Sequence, residues 1–307
     1  MYLQRTVRNE VTCSGIGLHT GRKVSIVIKP ADIDAGVVFH RKDLSENNKV
    51  KADLSSVLDT TLATTIGING TRISTVEHLL SAFSGMGVCN AVVEIDSFEP
   101  PIMDGSARPF VTLIKTAGIE IQSKPRVVMV VEKPVTVSDG EGRAELLPAS
   151  RFEITYEIDF NHPVIQRQSY HMVFSPEYYD REICAARTFG FLKDVEYLQA
   201  KGLALGGSLH NAIVLDEEKI INKEGLRCPD EFVKHKILDA IGDLFLLGMP
   251  IMGHFKAYKS GHKLNNLLLR ELLAQSDCWR IVSYIDGEER DETSDAPLLA
   301  SCAYAAS

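Results

Sequence analysis

His235, Asp239 and Asp243 follow one another at steps of four within the stretch Asp230–Leu247. At about 100° per residue such steps drift by only about 40°, so on a helix the three form one polar stripe. Ile237, Leu238, Ile241, Leu244 and Phe245 fill much of the rest of the circumference. A histidine and a carboxylate one turn apart have the ligand geometry of zinc-binding helices. The plainer alternative is an exposed face on which Asp239 pairs with Lys236 or His235. Zinc needs a further ligand, and Glu77-His78 offers one. If His78 completes a set of two histidines and one aspartate, water can take the open fourth position of a catalytic site. Glu77, next to a ligand in sequence, is then placed to deprotonate that water. The competing reading makes Glu77 the acid of a capping box opened by Ser74, with His78 a partly buried helix histidine. Tyr258-Lys259-Ser260-Gly261-His262 reads as a loop carrying a third histidine, whose near-neutral pKa suits a general acid or an electrostatic stabiliser. Asp243 could hold that ring protonated.

Positioning such groups requires strands and helices, and the chain is patterned for both. Val24–Lys29 alternates and stops at Pro30, and Ala91–Ile95 is a second short apolar run. Between them Ser74–Phe83 reads as a helix ended by Gly85 and Gly87, and Ala107–Ala117 as another. Ser123-Lys124-Pro125-Arg126 is the expected linker. Beyond it the pattern restarts: a strand at Val127–Val131, a hairpin around Ser138-Asp139-Gly140, then a strand at Phe152–Phe160. Helices are expected near Glu177–Ala186, Asp194–Lys201 and Asp230–Leu247, the last closed by Gly248 and Pro250. Val76-Glu77-His78 is echoed by Val233-Lys234-His235, a hint of duplicated α+β domains. Gly15-Ile16-Gly17-Leu18-His19-Thr20-Gly21 is not a dinucleotide-binding turn. Its third glycine comes one position late and a strand follows it, so it reads as a turn in a meander.

The 33 basic residues against 41 acidic ones leave a formal charge of −8, which argues against a nucleic-acid-binding face. With 45% apolar and 24% charged residues, the composition is that of a globular protein, and 307 residues suggest about two domains. The N-terminal residues lack the apolar core of a signal peptide, and Leu244–Met252, the longest apolar run, is too short to span a bilayer. Six cysteines without a C-x-x-C pair read as reduced thiols, and a cytoplasmic location is expected.

Together these segments resemble the zinc-dependent UDP-3-O-acyl-N-acetylglucosamine deacetylases of lipid A synthesis. The resemblance is carried by Gly15–Gly21, Ser74–Leu79, Pro101-Ile102-Met103-Asp104-Gly105-Ser106-Ala107, Ala186-Arg187-Thr188-Phe189-Gly190-Phe191, Phe232–Asp243 and Lys259–His262. It runs from about residue 2 to about residue 285. It implies removal of acetate from the glucosamine nitrogen of a UDP-linked, 3-O-acylated sugar, with His78, His235 and Asp239 binding Zn²⁺. It further implies Glu77 as general base, His262 as the protonated partner oriented by Asp243, and Thr188 as an oxyanion donor. Phe160 matches a residue that packs on uracil; Lys236 and Lys259 match basic residues facing the diphosphate and sugar end. Leu18 and Phe189 belong with the substrate contacts, and Val195, Leu198, Leu203, Ala204 and Leu205 fall in the family's apolar passage for the acyl chain, an insert at about 190–214. Ala63 stands where some members have cysteine or serine. The implied fold is α+β: two similar domains, 1–125 and 126–307, each a sheet layered on helices, with the metal in the cleft between them and a monomer expected. Two other functions compete: a UDP-sugar or acyl-chain binder that keeps the scaffold, and an amidohydrolase acting on a different acylated amine.

Overall fold

The computed structural model describes residues 3–285 and 287–295; Cys302 lies outside them. Alternation of small apolar and polar residues makes Lys23–Lys29 a strand with Val24, Ile26 and Ile28 turned inward. It anchors a five-stranded sheet in the order Val11–Ile16, Lys23–Lys29, Ala91–Ile95, Val37–Arg41, Lys49–Lys51. All its pairings are antiparallel except Val37–Arg41 with Ala91–Ile95, which is parallel.

A second sheet repeats this plan. Five of its eight strands run in the order Val135–Asp139, Gly142–Leu147, Ile251–Tyr258, Phe152–Asp159, Arg167–Val173, with one parallel pair among them, Phe152–Asp159 on Ile251–Tyr258. Val128–Val131 adds a second parallel pairing to Ile251–Tyr258 and extends the sheet to Trp279–Ile285 and Glu288–Asp291. In each sheet the central strand follows a long helix. Helix α1 (Glu77–Met86) precedes Ala91–Ile95 and α2 (Arg108–Ala117) follows it. The short α3 (Pro176–Tyr178) and α4 (Leu192–Ala200) come next in the chain; α5 (Glu231–Phe245) then precedes Ile251–Tyr258, and α6 (His262–Ala274) follows it. The fold is therefore mixed α+β, and the Val-x-His echo falls on α1 and α5, the helices at matching places in the two plans.

Helices α1 and α5 pack against each other very closely. A Cβ on Gly242 would lie 2.0 Å from the carbonyl oxygen of Glu77, so only glycine permits this approach. One apolar cluster runs from Ile26 and Ile28 through Leu79, Phe83, Ile237 and Ile241 to Ile154 and Phe255. Every residue of α5 except Lys236 is buried, so its polar stripe is not an exposed salt-bridged face.

Several elements differ from the sequence reading. The expected linker at 123–126 overlaps a strand, Ile119–Pro125, that pairs with Leu3–Val7. The helix expected from Ser74 starts at Glu77 with no side-chain cap, because the Ser74 hydroxyl bonds Thr65 Oγ1 at 2.8 Å and Thr75 sits at φ +54°. The helix expected over 177–186 is only α3 followed by one π-turn, Tyr179–Ile183. His262 opens α6 rather than lying in a loop.

Candidate metal centre

Helices α1 and α5 bring His78 and His235 face to edge, with ring centroids 5.1 Å apart at 87°. Their Nε2 atoms lie 3.5 and 3.4 Å from one oxygen of Asp239, Oδ1, and all three residues are buried. That oxygen accepts no hydrogen bond. A buried carboxylate oxygen between two imidazole nitrogens, without a hydrogen-bond partner, is costly unless a cation fills the gap. His235 Nδ1 is 3.1 Å from the carbonyl of Ala186, which fixes Nδ1–H as the donor and turns Nε2 toward the gap. Burial lowers the His235 pKa to about 4, keeping the ring neutral as a ligand must be. Burial pushes the Asp239 carboxyl up, but His235 and Lys236 outweigh it and hold it well below the usual range. Lys236 Nζ donates to the other oxygen, Oδ2, at 3.0 Å, so the Asp239–Lys236 pair of the plainer reading exists beside the vacant Oδ1.

Glu77 lies beside this triad and is 3% exposed. Its Oε2 accepts the backbone N–H of Thr64 at 3.0 Å, not a capping-box bond. Burial raises its pKa, partly countered by His262 and His78, giving a carboxylate that takes a proton more readily than a surface glutamate. His262 faces it at 3.8 Å from Nε2 to Oε1 and is held from behind by Asp243, Nδ1 to Oδ2 at 2.9 Å. Burial alone would depress the His262 pKa, but Asp243 and Glu77 drive it up to about 9, so the imidazolium is the stable form at neutral pH.

These groups open onto a cavity of about 390 Å³. Its walls include Ala63, Thr188, Phe160 and Phe189, with Leu18 from the Gly15–Gly21 turn and Val195 and Leu198 from α4. The Thr188 backbone is tied on both sides, N–H to the Gly105 carbonyl and C=O to the Ile213 N–H, each at 2.8 Å. Phe160 stands edge-on to Phe189, with centroids 5.8 Å apart. Lys259 and Ala204 do not line this cavity. The Lys259 ammonium is held by Glu141 at 2.8 Å and Asp159 at 3.3 Å, and Ala204 is buried in a turn at φ +52°. Leu203 and Leu205 are exposed rather than lining it.

The family model described as UDP-3-O-acyl N-acetylglycosamine deacetylase matches residues 4–274. The chain belongs to this deacetylase family. It is 60% identical over 289 residues to a UDP-3-O-acyl-N-acetylglucosamine deacetylase of Syntrophus aciditrophicus, covering 94% of this chain and 92% of that one. Deacetylases of the same name from Saccharophagus degradans (50% identical; 98% of this chain, 100% of the relative) and Pseudomonas entomophila (51%; 97% of each) are similar over comparable spans.

Two residues of this family member's site escaped the sequence reading. Thr64 Oγ1 donates to Asp243 Oδ1 at 2.5 Å while its N–H holds Glu77, and Asn265 Nδ2 donates to Asp243 Oδ2 at 2.8 Å. Neither has a pattern of its own. Asn265 does lie three residues after His262, one helical turn along α6, which was a usable signal once that helix was assigned.

Proposed function

We propose that this chain hydrolyses the acetamide of UDP-3-O-acyl-N-acetylglucosamine to UDP-3-O-acyl-glucosamine and acetate, the committed step of lipid A synthesis, with Zn²⁺ held by His78, His235 and Asp239. The observation that carries the reading is the bare, buried Oδ1 of Asp239 between two imidazole nitrogens, with Glu77 and His262 on the same cavity wall. When bound, zinc supplies a Lewis acid that polarises the amide carbonyl and lowers the pKa of water from about 15.7 to about 7.

The remaining work belongs to the chain. Glu77, ionised and desolvated, takes a proton from the attacking water. The His262 imidazolium, kept charged by Asp243, faces the negative charge growing on the carbonyl oxygen, and Thr188 donates a hydrogen bond to it. One donor of this kind is typically worth roughly 10²–10³ in rate. As the C–N bond breaks the amine gains a proton, for which Glu77 and His262 are the two sources. Phe160 offers a face for the uracil. Lys236, beside Asp239 on the cavity wall, brings positive charge toward the diphosphate; Lys259, paired with Glu141 and Asp159 off the cavity, would have to leave those carboxylates to join it.

In this reading residues 1–125 and 126–307 are two domains, the first bringing Glu77 and His78 and the second His235, Asp239 and His262. The repeated strand order and the α1–α5 contact support a site in the cleft between them. The insert at 190–214 takes the acyl chain: Val195 and Leu198 face the cavity, and Leu192 and Tyr197 stay exposed. A cytoplasmic location fits the five described cysteines, all unbridged, and no helix among the described residues is long and apolar enough to cross a membrane. The test is metal content measured together with acetate release from UDP-3-O-acyl-GlcNAc. Bound zinc with stoichiometric acetate is expected; zinc without acetate release rejects the reaction.

A further inference from the structure

The second sheet carries another convergence of ligand-type side chains, on the face opposite its core. Along Phe152–Asp159 the residues Ile154, Tyr156 and Ile158 are buried, so Glu153 and Thr155 point the other way. Pairing register sets His254 beside Glu153 and His171 beside Thr155, on the two flanking strands. One imidazole nitrogen from each histidine and a carboxylate oxygen of Glu153 lie within 4.8 Å of one another. The two rings are edge to face, with centroids 5.7 Å apart at 75°.

Thr155 Oγ1 holds both rings, at 3.0 Å from His171 Nδ1 and 2.8 Å from His254 Nε2. A hydroxyl has one proton, so it can donate to only one of these nitrogens and must accept from the other. The rings are thereby oriented before any ligand arrives. Arg151 touches Glu153 only through Oε1, at 3.4 Å, and Lys256 is drawn to Glu145 at 3.4 Å. Neither cation closes the gap between the histidines and the carboxylate. None of the three residues lines the cavity of the α1–α5 centre.

The geometry points to Glu153, His171 and His254 as a second, surface site for a borderline divalent transition metal such as Zn²⁺. Two imidazoles and one carboxylate suit such an ion, and water would complete its coordination. Among the described residues Arg167–Val173 pairs only with Phe152–Asp159, making it an edge strand. An ion there would tie that edge to both Phe152–Asp159 and Ile251–Tyr258.

Equilibrium dialysis of the full chain against Zn²⁺ up to micromolar free concentration tests this. Two equivalents per chain are expected. The weaker is lost in His171→Ala and in His254→Ala and weakened by at least about tenfold in Glu153→Gln, while the tighter equivalent and deacetylase activity at low zinc stay unchanged. Micromolar zinc should also raise the Tm of the parent chain by more than that of the His171→Ala chain, in which only the tighter equivalent contributes. A single equivalent throughout, or a second that survives the His171→Ala/His254→Ala pair, overturns the proposal.

Discussion

At the level of single residues the site separates holding a metal from moving a proton. As a proposed ligand, His235 has an imidazole kept neutral by burial and aimed by the Ala186 carbonyl; Glu77, outside the proposed ligand set, accepts from Thr64. His235→Ala should therefore lower bound zinc, whereas Glu77→Ala should retain it and lose roughly 10²–10⁴ of kcat. Normal turnover by the Glu77 variant would remove it as base. Glu77 and His262 together predict a bell-shaped pH profile. Glu77 must be ionised, and burial raises its pKa, so activity falls on the acidic side above the usual carboxylate range. His262 must be protonated, so activity falls again as pH rises through about 9. In His262→Ala the residual activity should lack the basic limb; an unchanged limb assigns it to another group. The three steps of four on α5 were readable because helical periodicity alone fixes them. Thr64 was not, because its importance comes from a fold that brings it against Asp243, 179 positions away in sequence.

Among the elements, the decisive feature is how α1 meets α5. Gly242 leaves room for the Glu77 carbonyl, and a methyl there would meet it at 2.0 Å. Gly242→Ala should push the helices apart, lowering stability by about 1–3 kcal/mol in chemical denaturation and weakening zinc binding with it. Full stability and zinc affinity in that variant would mean that the contact is slack. The loop before α1 makes a separate prediction. Thr64→Val removes the hydroxyl from buried Asp243 but keeps the backbone bond to Glu77, so kcat should fall with little change in KM, and Thr64→Ser should restore it. Helices α2, α4 and α5 were legible to within two residues at their starts, whereas α6 was not expected and the start of α1 was misplaced. Ser74 has the spacing of a cap, yet its hydroxyl is engaged by Thr65, and Glu77 is drawn to Thr64 instead. The 177–186 segment has a helical pattern that tertiary packing converts to a π-turn around buried Tyr179, whose hydroxyl reaches Ser81 of α1 at 2.9 Å.

Across the whole molecule, a net charge of −8 described the surface and hid the centre, where Lys236 and two imidazoles surround one aspartate. The tripeptide echo was the only trace in sequence of a sheet plan built twice, because strand order depends on pairing between distant segments and leaves no local pattern. The cavity itself is assembled over a similar distance. The insert after Thr188 docks on the Gly15–Gly21 turn through Leu205 N–H to the His19 carbonyl at 3.2 Å and Gly206 N–H to the Leu18 carbonyl at 3.0 Å. Leu18 thus faces Val195 and Leu198 across one apolar wall, the two α4 residues one turn apart on an otherwise exposed helix. Each methylene of an acyl chain buried there contributes about 0.8 kcal/mol, so this wall should set affinity for the chain and not the chemistry of the amide. Leu198→Asn places an amide without a partner against the chain. KM for a long-chain 3-O-acyl substrate should rise by about tenfold or more, kcat should change little, and a 3-O-acetyl analogue should be handled as by the parent. Equal losses on both substrates would show that α4 supports the catalytic centre itself, and the acyl chain would then have to lie elsewhere.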